Sequence, residues 1–277
     1  MKKSILLGTI AALSLGGAGV ANAGVLDDVK ARGVLNCGSN TGLPGFAAPN
    51  AEGVWEGFDI AMCRAVAAAI FGDPMKVDVT PTTGQTRFTA LASGEIDMLA
   101  RVTTWSFLRD TELKLEFVGT NFYDGTGFLV PKSLGVTSAK ELDGATVCIQ
   151  TGTTTELNLS DFFRANGISY EAVPVETQME GQAQYLAGTC DTYTTDASGL
   201  AAMRGTFDTP TDHIILPEII SKEPLALTVR HGDQDWADLV RWTFFALVAA
   251  EEYGVTKDNV DELAKGTDNP EIGRAHV

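Results

Sequence analysis

Short apolar, β-type runs alternate twice over with alanine-rich helical stretches along this 277-residue chain, and nothing else in the sequence constrains the fold as much. Strand and helix in succession build a sheet covered by helices, an α/β arrangement. In the first unit the pattern predicts strands at 34–37, 76–80 and 96–100, the last ending beside Arg101. Helices are expected over 58–70, ended by Phe71-Gly72-Asp73-Pro74, and over 87–93, stopped by Gly94. A second unit keeps the rhythm without repeating the sequence: helix 139–142, strand 145–149, helix 154–166, strand 170–175, helix 177–187, strand 192–194, helix 198–204. Beyond it come an extended run at 225–229, a long amphipathic helix over 235–253 and a final helix over 257–265 opened by a Thr256 cap.

No low-complexity linker separates the units, whereas apolar runs lie at 127–130 and 225–229. Two strands crossing between two lobes are therefore expected in place of a flexible tether. Ahead of both units, Met1-Lys2-Lys3 supplies a positive start, 5–20 an apolar run relieved by Gly and Ser, and Ala21-Asn22-Ala23 a small-x-small cleavage site. Residues 1–23 read as a secretory signal, which predicts a periplasmic mature chain. A formal charge of −16 argues against nucleic acid or an anionic membrane surface as partner. At the other end, 272–277 (Ile272-Gly273-Arg274-Ala275-His276-Val277) reads as translated sequencing adapter, so the natural C-terminus is expected to be missing and His276 is set aside.

Four cysteines in an exported chain read as disulfides, for which three pairings exist. A metal site is disfavoured, because there is no CxxC pair and His213 and His231 have no partners at ligand spacing.

Three features carry binding chemistry. Gln150-Thr151-Gly152-Thr153-Thr154-Thr155-Glu156 leads from a strand into a helix, placing hydroxyls and free backbone N–H groups at a helix N-terminus. That is an anion site by geometry, or simply a Thr154 or Thr155 cap with Glu156 in the first turn. The missing Gly-Lys-Thr order disfavours a phosphate loop. Thr103, Thr104 and Arg109 follow the strand ending at Ala100, and arginine offers two parallel N–H donors that match a carboxylate. Asp196 follows Thr194-Thr195 at the end of a predicted strand, where α/β sheets place ligand groups; its alternative is the N-cap of the next helix. Carboxylate donors together with an ammonium acceptor make a reader of zwitterions.

Gly57-Phe58-Asp59-Ile60, Leu91-Ala92-Ser93-Gly94-Glu95-Ile96-Asp97, Arg109-Asp110 and Gly152-Thr153-Thr154 occur in the order seen in the polar amino-acid solute-binding proteins of ABC importers, which the chain resembles from Gly33 to about Asp268. Gly42-Leu43-Pro44-Gly45-Phe46, Thr103-Thr104-Trp105 and Cys63-Arg64-Ala65 look most like the general L-amino-acid binders of that family. The resemblance implies a type II periplasmic-binding fold of two α/β lobes joined by two crossing hinge strands. Lobe I would comprise 24–127 plus 224–271 and lobe II 128–223, and pairing within lobes would then give Cys37–Cys63 and Cys148–Cys190. It further implies a monomer without cofactor, metal or catalytic residue, taking free L-amino acids broadly and delivering them to the membrane permease of an ABC importer.

By motif position Arg109 and Thr104 would hold the α-carboxylate from lobe I, with Thr154 and its neighbour Thr153 reaching it from lobe II. Asp196 would take the α-ammonium as the hinge closes. The sequence departs from the family where Ala61 replaces an acidic residue on the helix surface, and where Leu43 and Gly84 replace aromatics of the ligand wall, which predicts a roomier pocket. Phe46 is left either touching ligand or packing in the core, and Arg101 could read an acidic side chain. Two alternatives share the scaffold: an enzyme such as a cyclic-acid dehydratase, drawing a general acid from Glu95, Asp97 or Glu223, and a sensor ectodomain.

Overall fold

The computed structural model describes residues 24–266; the signal segment 1–23, the end of lobe I at 267–271 and the terminal hexapeptide lie outside the described residues. The first sheet contains β1 (Leu35–Ser39), β4 (Val77–Pro81), β5 (Met98–Leu99), β6 (Leu115–Asp124) and β12 (Glu223–Arg230), in the order β4-β1-β5-β12-β6. A small hairpin, β2 (Ala48–Pro49) with β3 (Trp55–Glu56), stands beside it. The second sheet orders β7 (Thr126–Pro131), β8 (Ala145–Gln150), β9 (Tyr170–Val175), β10 (Thr192–Asp196) and β11 (His213–Ile215) as β11-β7-β10-β8-β9. Each sheet has a parallel part, β1 with β4 and β5 or β8 with β9 and β10, extended by antiparallel strands.

Both sheets are covered on both faces, which is why their strands read as apolar runs without clean alternation. In β7, Phe128 and Val130 face Leu159 and Phe163 of the helix Thr154–Asn166. Leu129, between them, faces Tyr185, Leu200 and Met203 on the other side, as the two-residue strand period requires. In the first lobe Trp236, Val240 and Phe244 of the helix Gln234–Glu252 pack with Met62 and Val66 of Phe58–Phe71 against Leu35, Met98, Leu227 and Val229. The opposite face buries Leu91 of the helix Arg87–Ser93 against Leu99, Phe117 and Ala226. One disulfide ties each lobe, Cys37–Cys63 in the first and Cys148–Cys190 in the second.

Several elements differ from the sequence reading. β6 is ten residues long and was not foreseen; it pairs with β12 along its whole length. The chain leaves the first sheet at Asp124 and enters the second at Thr126, so the run at 127–130 lies wholly inside the second sheet. On the return path Glu223 already pairs with Asp124, within the first sheet. A helix Val25–Arg32 precedes β1, and 139–142 shortens to a single 3-10 turn, Ala139–Glu141. At the far end Thr256 does not cap with its side chain. Its N–H instead goes to Asn259 Oδ1, and the helix runs only from Val260 to Leu263.

Candidate functional site

Strand ends from both sheets converge on a narrow cleft between the lobes. Arg101, Thr104 and Arg109 line it from the first lobe and Thr153, Thr154 and Asp196 from the second. These six were read from the sequence as ligand-binding residues, and the fold brings all six together.

The first-lobe loop is held under strain. Val102, between Arg101 and Thr103, has φ +40°, a conformation that costs a β-branched residue about 1–3 kcal/mol and persists where surroundings fix it. Asp59 does the fixing: its Oδ2 accepts the Val102 N–H at 3.1 Å. Burial pushes the Asp59 carboxyl up to about 7, opposed by that N–H and by Arg101. The helix bearing Asp59 starts at Gly57, whose φ is +122° and where a Cβ would lie 2.4 Å from Phe46 O, so the Gly-Phe-Asp sequence is the buttress of the site loop. Ala61, two residues on, is exposed away from it.

Arg109 is buried, donates Nη1–H to Thr104 O at 3.0 Å and rests 5.1 Å from the Phe88 ring centroid. Burial draws its pKa down to about 10, while Glu223 and Asp196 work against that shift. Arg87, at the start of its helix, was missed by sequence reading. It lines the cleft, stands 4.7 Å from the Phe88 ring centroid, and donates Nη2–H across the lobes to Gly152 O at 3.2 Å. No motif marks it, because its role depends on a carbonyl 65 residues away.

In the second lobe Thr153, not Thr154 or Thr155, is the helix cap: its Oγ accepts from the Glu156 N–H and donates to Gln150 O. Thr154 is thereby left facing the cleft. Asp196 occupies an N-cap position but makes no side-chain cap bond, and Ser198 bonds Asp124 instead. Burial, with Asp124 and Glu223 nearby, raises Asp196 to about 8, against the pull of Arg87 and Arg101.

Glu223, which the sequence offered only as a candidate acid, is the buried junction of the two lobes. It accepts from Thr104 Oγ, from Thr154 Oγ at 2.9 Å, and from Asn158 Nδ2 and Ser221 Oγ at 2.6 Å each. A threonine hydroxyl has one proton to give, so Thr104 and Thr154 turn acceptor lone pairs, not donors, toward other partners.

Leu43 and Phe46 do not line this cleft. Leu43 is buried against the Gly199 region of the second lobe, and Phe46 packs edge-on with Phe58 and Phe122, at 6.2 and 5.3 Å. Nor does Gly84 leave room: a Cβ there would be 2.3 Å from Thr151 O, so second-lobe backbone fills the space. Of the other candidate acids, Glu95 is exposed and Asp97 pairs with Arg32 and the Asn36 N–H.

The model of the bacterial extracellular solute-binding proteins, family 3, matches residues 35–259. The chain belongs to this family. It is 64% identical over 274 residues to the glutamate/glutamine/aspartate/asparagine-binding protein BztA of Rhodobacter capsulatus, covering 99% of this chain and 81% of that one. Against the general L-amino acid-binding periplasmic protein AapJ of Rhizobium johnstonii the identity is 56%, over 99% and 80% of the two chains. Among solved structures, a periplasmic binding protein of an ABC transporter from Brucella ovis with glutathione bound is 57% identical, with a TM-score of 0.88 over 91% of this chain and 79% of that one. The cysteine-binding protein of Campylobacter jejuni shares the fold at 22% identity, with a TM-score of 0.74 over 89% and 96%. The two-lobed periplasmic-binding fold expected from the sequence is thus the fold of this chain.

Proposed function

We propose that this protein is the exported, periplasmic binding component of an ABC importer, capturing free L-amino acids between its lobes by hinge closure. The observation that carries the reading is a guanidinium and a carboxylate, Arg109 and Asp196, supplied by different lobes to one cleft. Arg109 uses one N–H on Thr104 O and offers its other donors to the α-carboxylate, beside the N-terminus of the helix Thr154–Asn166. Asp196 receives the α-ammonium, with the oxygens of Thr104 and Thr154 as further acceptors.

Contacts that cross the cleft, Arg87 to Gly152 O, Thr104 with Thr154 at 3.3 Å and Asn40 Nδ2 to Gln178 Oε1 at 3.2 Å, exist only when the lobes are shut, so ligand and closure favour each other. The names of the relatives, one for four amino acids and one for L-amino acids in general, support broad uptake and delivery to a membrane permease. A binder fits better than an enzyme: the acid at the lobe junction, Glu223, already accepts four hydrogen bonds and is held as a structural carboxylate.

A thermal-shift screen of the protein with each of the twenty amino acids, and with glutathione, tests the reading. Ligand at a hundred times its dissociation constant should add about 2.7 kcal/mol to the native state and raise the Tm. If no amino acid raises it, the proposal is wrong.

A further inference from the structure

We propose that Arg101, with Arg87 beside it, forms a second anion subsite that takes the side-chain carboxylate of a dicarboxylic amino acid; this rests on the amino-acid reading above. A neutral zwitterion needs one cation and one anion, and Arg109 with Asp196 supplies them. The cleft holds two further guanidiniums. Arg101 is 3% exposed and Arg87 2%, and among the described residues neither stands within ion-pair distance of a carboxylate.

Their hydrogen bonding is incomplete as well. Arg101 anchors its Nε–H on Thr82 O at 3.1 Å, while its Nη2 has no partner. Arg87 reaches Gly152 O through Nη2 and approaches Thr103 Oγ at 3.5 Å, while its Nε has none. Both side chains line the same cleft, and the unpartnered donors belong to them.

Other groups do not answer this charge. Asp59 faces Arg101 but gives its oxygen to the Val102 N–H, and burial favours its neutral form. Asp196 acts on Arg87 and Arg101 alike but is needed by the ammonium. The three guanidiniums repel one another, and burying them is expensive unless an anion arrives. A carboxylate at the end of a short side chain matches the paired donors of a guanidinium, whereas the amide of glutamine or asparagine offers one uncharged acceptor and two donors that arginine cannot receive.

Titration calorimetry with L-glutamate, L-glutamine, L-aspartate and L-asparagine tests the subsite. Each acid should bind at least tenfold more tightly than its amide. Arg101→Met should shrink that ratio at least tenfold, with glutamate losing far more affinity than glutamine. Equal affinity of the wild type for acid and amide overturns the proposal whatever the variant does, and so does a folded Arg101→Met that keeps the ratio or loses acid and amide alike. Should Arg101→Met fail to fold, Arg101→Lys, which keeps charge but not the fork, should lower the ratio at least threefold, and an unchanged ratio again overturns it. Binding of none of the four removes the amino-acid reading and the subsite together, whereas binding without acid preference removes the subsite alone.

Discussion

Each lobe wraps a five-stranded sheet in helices and ties one parallel strand with a disulfide, yet the first brings three guanidiniums to the cleft while the second brings a carboxylate and a helix N-terminus lined with threonines. The shared plan explains why both lobes are stable sandwiches; the opposite charges explain why neither is a complete site. On the proposed reading, the first lobe's guanidiniums receive the carboxylate, and the ammonium finds its partner when the second lobe arrives. Affinity in such an arrangement measures closure as much as contact.

The largest effect is expected on the first-lobe side. Arg109→Ala leaves a desolvated carboxylate without its fork of donors and should weaken binding by about 2–5 kcal/mol in calorimetry. A loss below tenfold would mean that another of the three arginines holds the α-carboxylate, and the division between lobes would have to be redrawn.

The second-lobe counterpart is Asp196→Asn, expected to cost about 2–3 kcal/mol, since one member of a charge-assisted pair remains. It should also change the pH profile. Burial keeps Asp196 protonated up to about pH 8, so an arriving ammonium must drive off a proton. Wild-type affinity is therefore expected to rise from pH 6 towards pH 8 and level above it, with proton release visible when titrations near neutrality are compared in two buffers of different ionisation enthalpy. In Asp196→Asn the slope should vanish; a slope that survives assigns the proton elsewhere.

How much of this was legible in the sequence follows the same divide between local and remote causes. The helices Arg87–Ser93 and Thr154–Asn166 and the strand Tyr170–Val175 could be read residue by residue, because local backbone chemistry such as Gly94 sets their ends, although the cap of the second helix is Thr153 and not the Thr154 or Thr155 expected. β6 could not: Gly119 and Asn121 interrupt its pattern, and its order comes from β12 and from Phe244, which packs over Gly119. Likewise Arg109 and Asp196 were singled out by position after strands, whereas Arg87 takes its cross-lobe partner from a carbonyl 65 residues away and Glu223 joins the lobes through Thr154 and Asn158 as well as Thr104 and Ser221. Gly84 misled for the same reason, since the missing side chain is replaced by the second lobe's backbone and not by free space.

That replacement can be tested from either side of the cleft. Gly84→Ala puts a Cβ 2.3 Å from Thr151 O, a contact backbone cannot relieve without parting the lobes. It should cost about 1–3 kcal/mol of affinity, mainly through faster release, with solution scattering showing a more open ligand-bound form. Gly199→Ala, on the second lobe facing Leu43, meets nothing nearer than 3.5 Å and should change little. Equal effects from the two would show that closure is looser than these contacts require.

The smallest effect is expected at the junction of the lobes. Thr154→Val removes one of four hydrogen bonds to Glu223 and the contact with Thr104, keeping shape and volume. Asn158 Nδ2, Ser221 Oγ and Thr104 Oγ still hold the carboxylate, so no buried charge is orphaned and the loss should be about 1 kcal/mol in affinity with the Tm of the free protein nearly unchanged. The second lobe would then contribute at this point only by meeting the first. A loss as large as that of Asp196→Asn would instead make the Thr154 oxygen a principal acceptor for the ammonium, and the charge difference between the lobes would account for less of the binding than the hydroxyls they share.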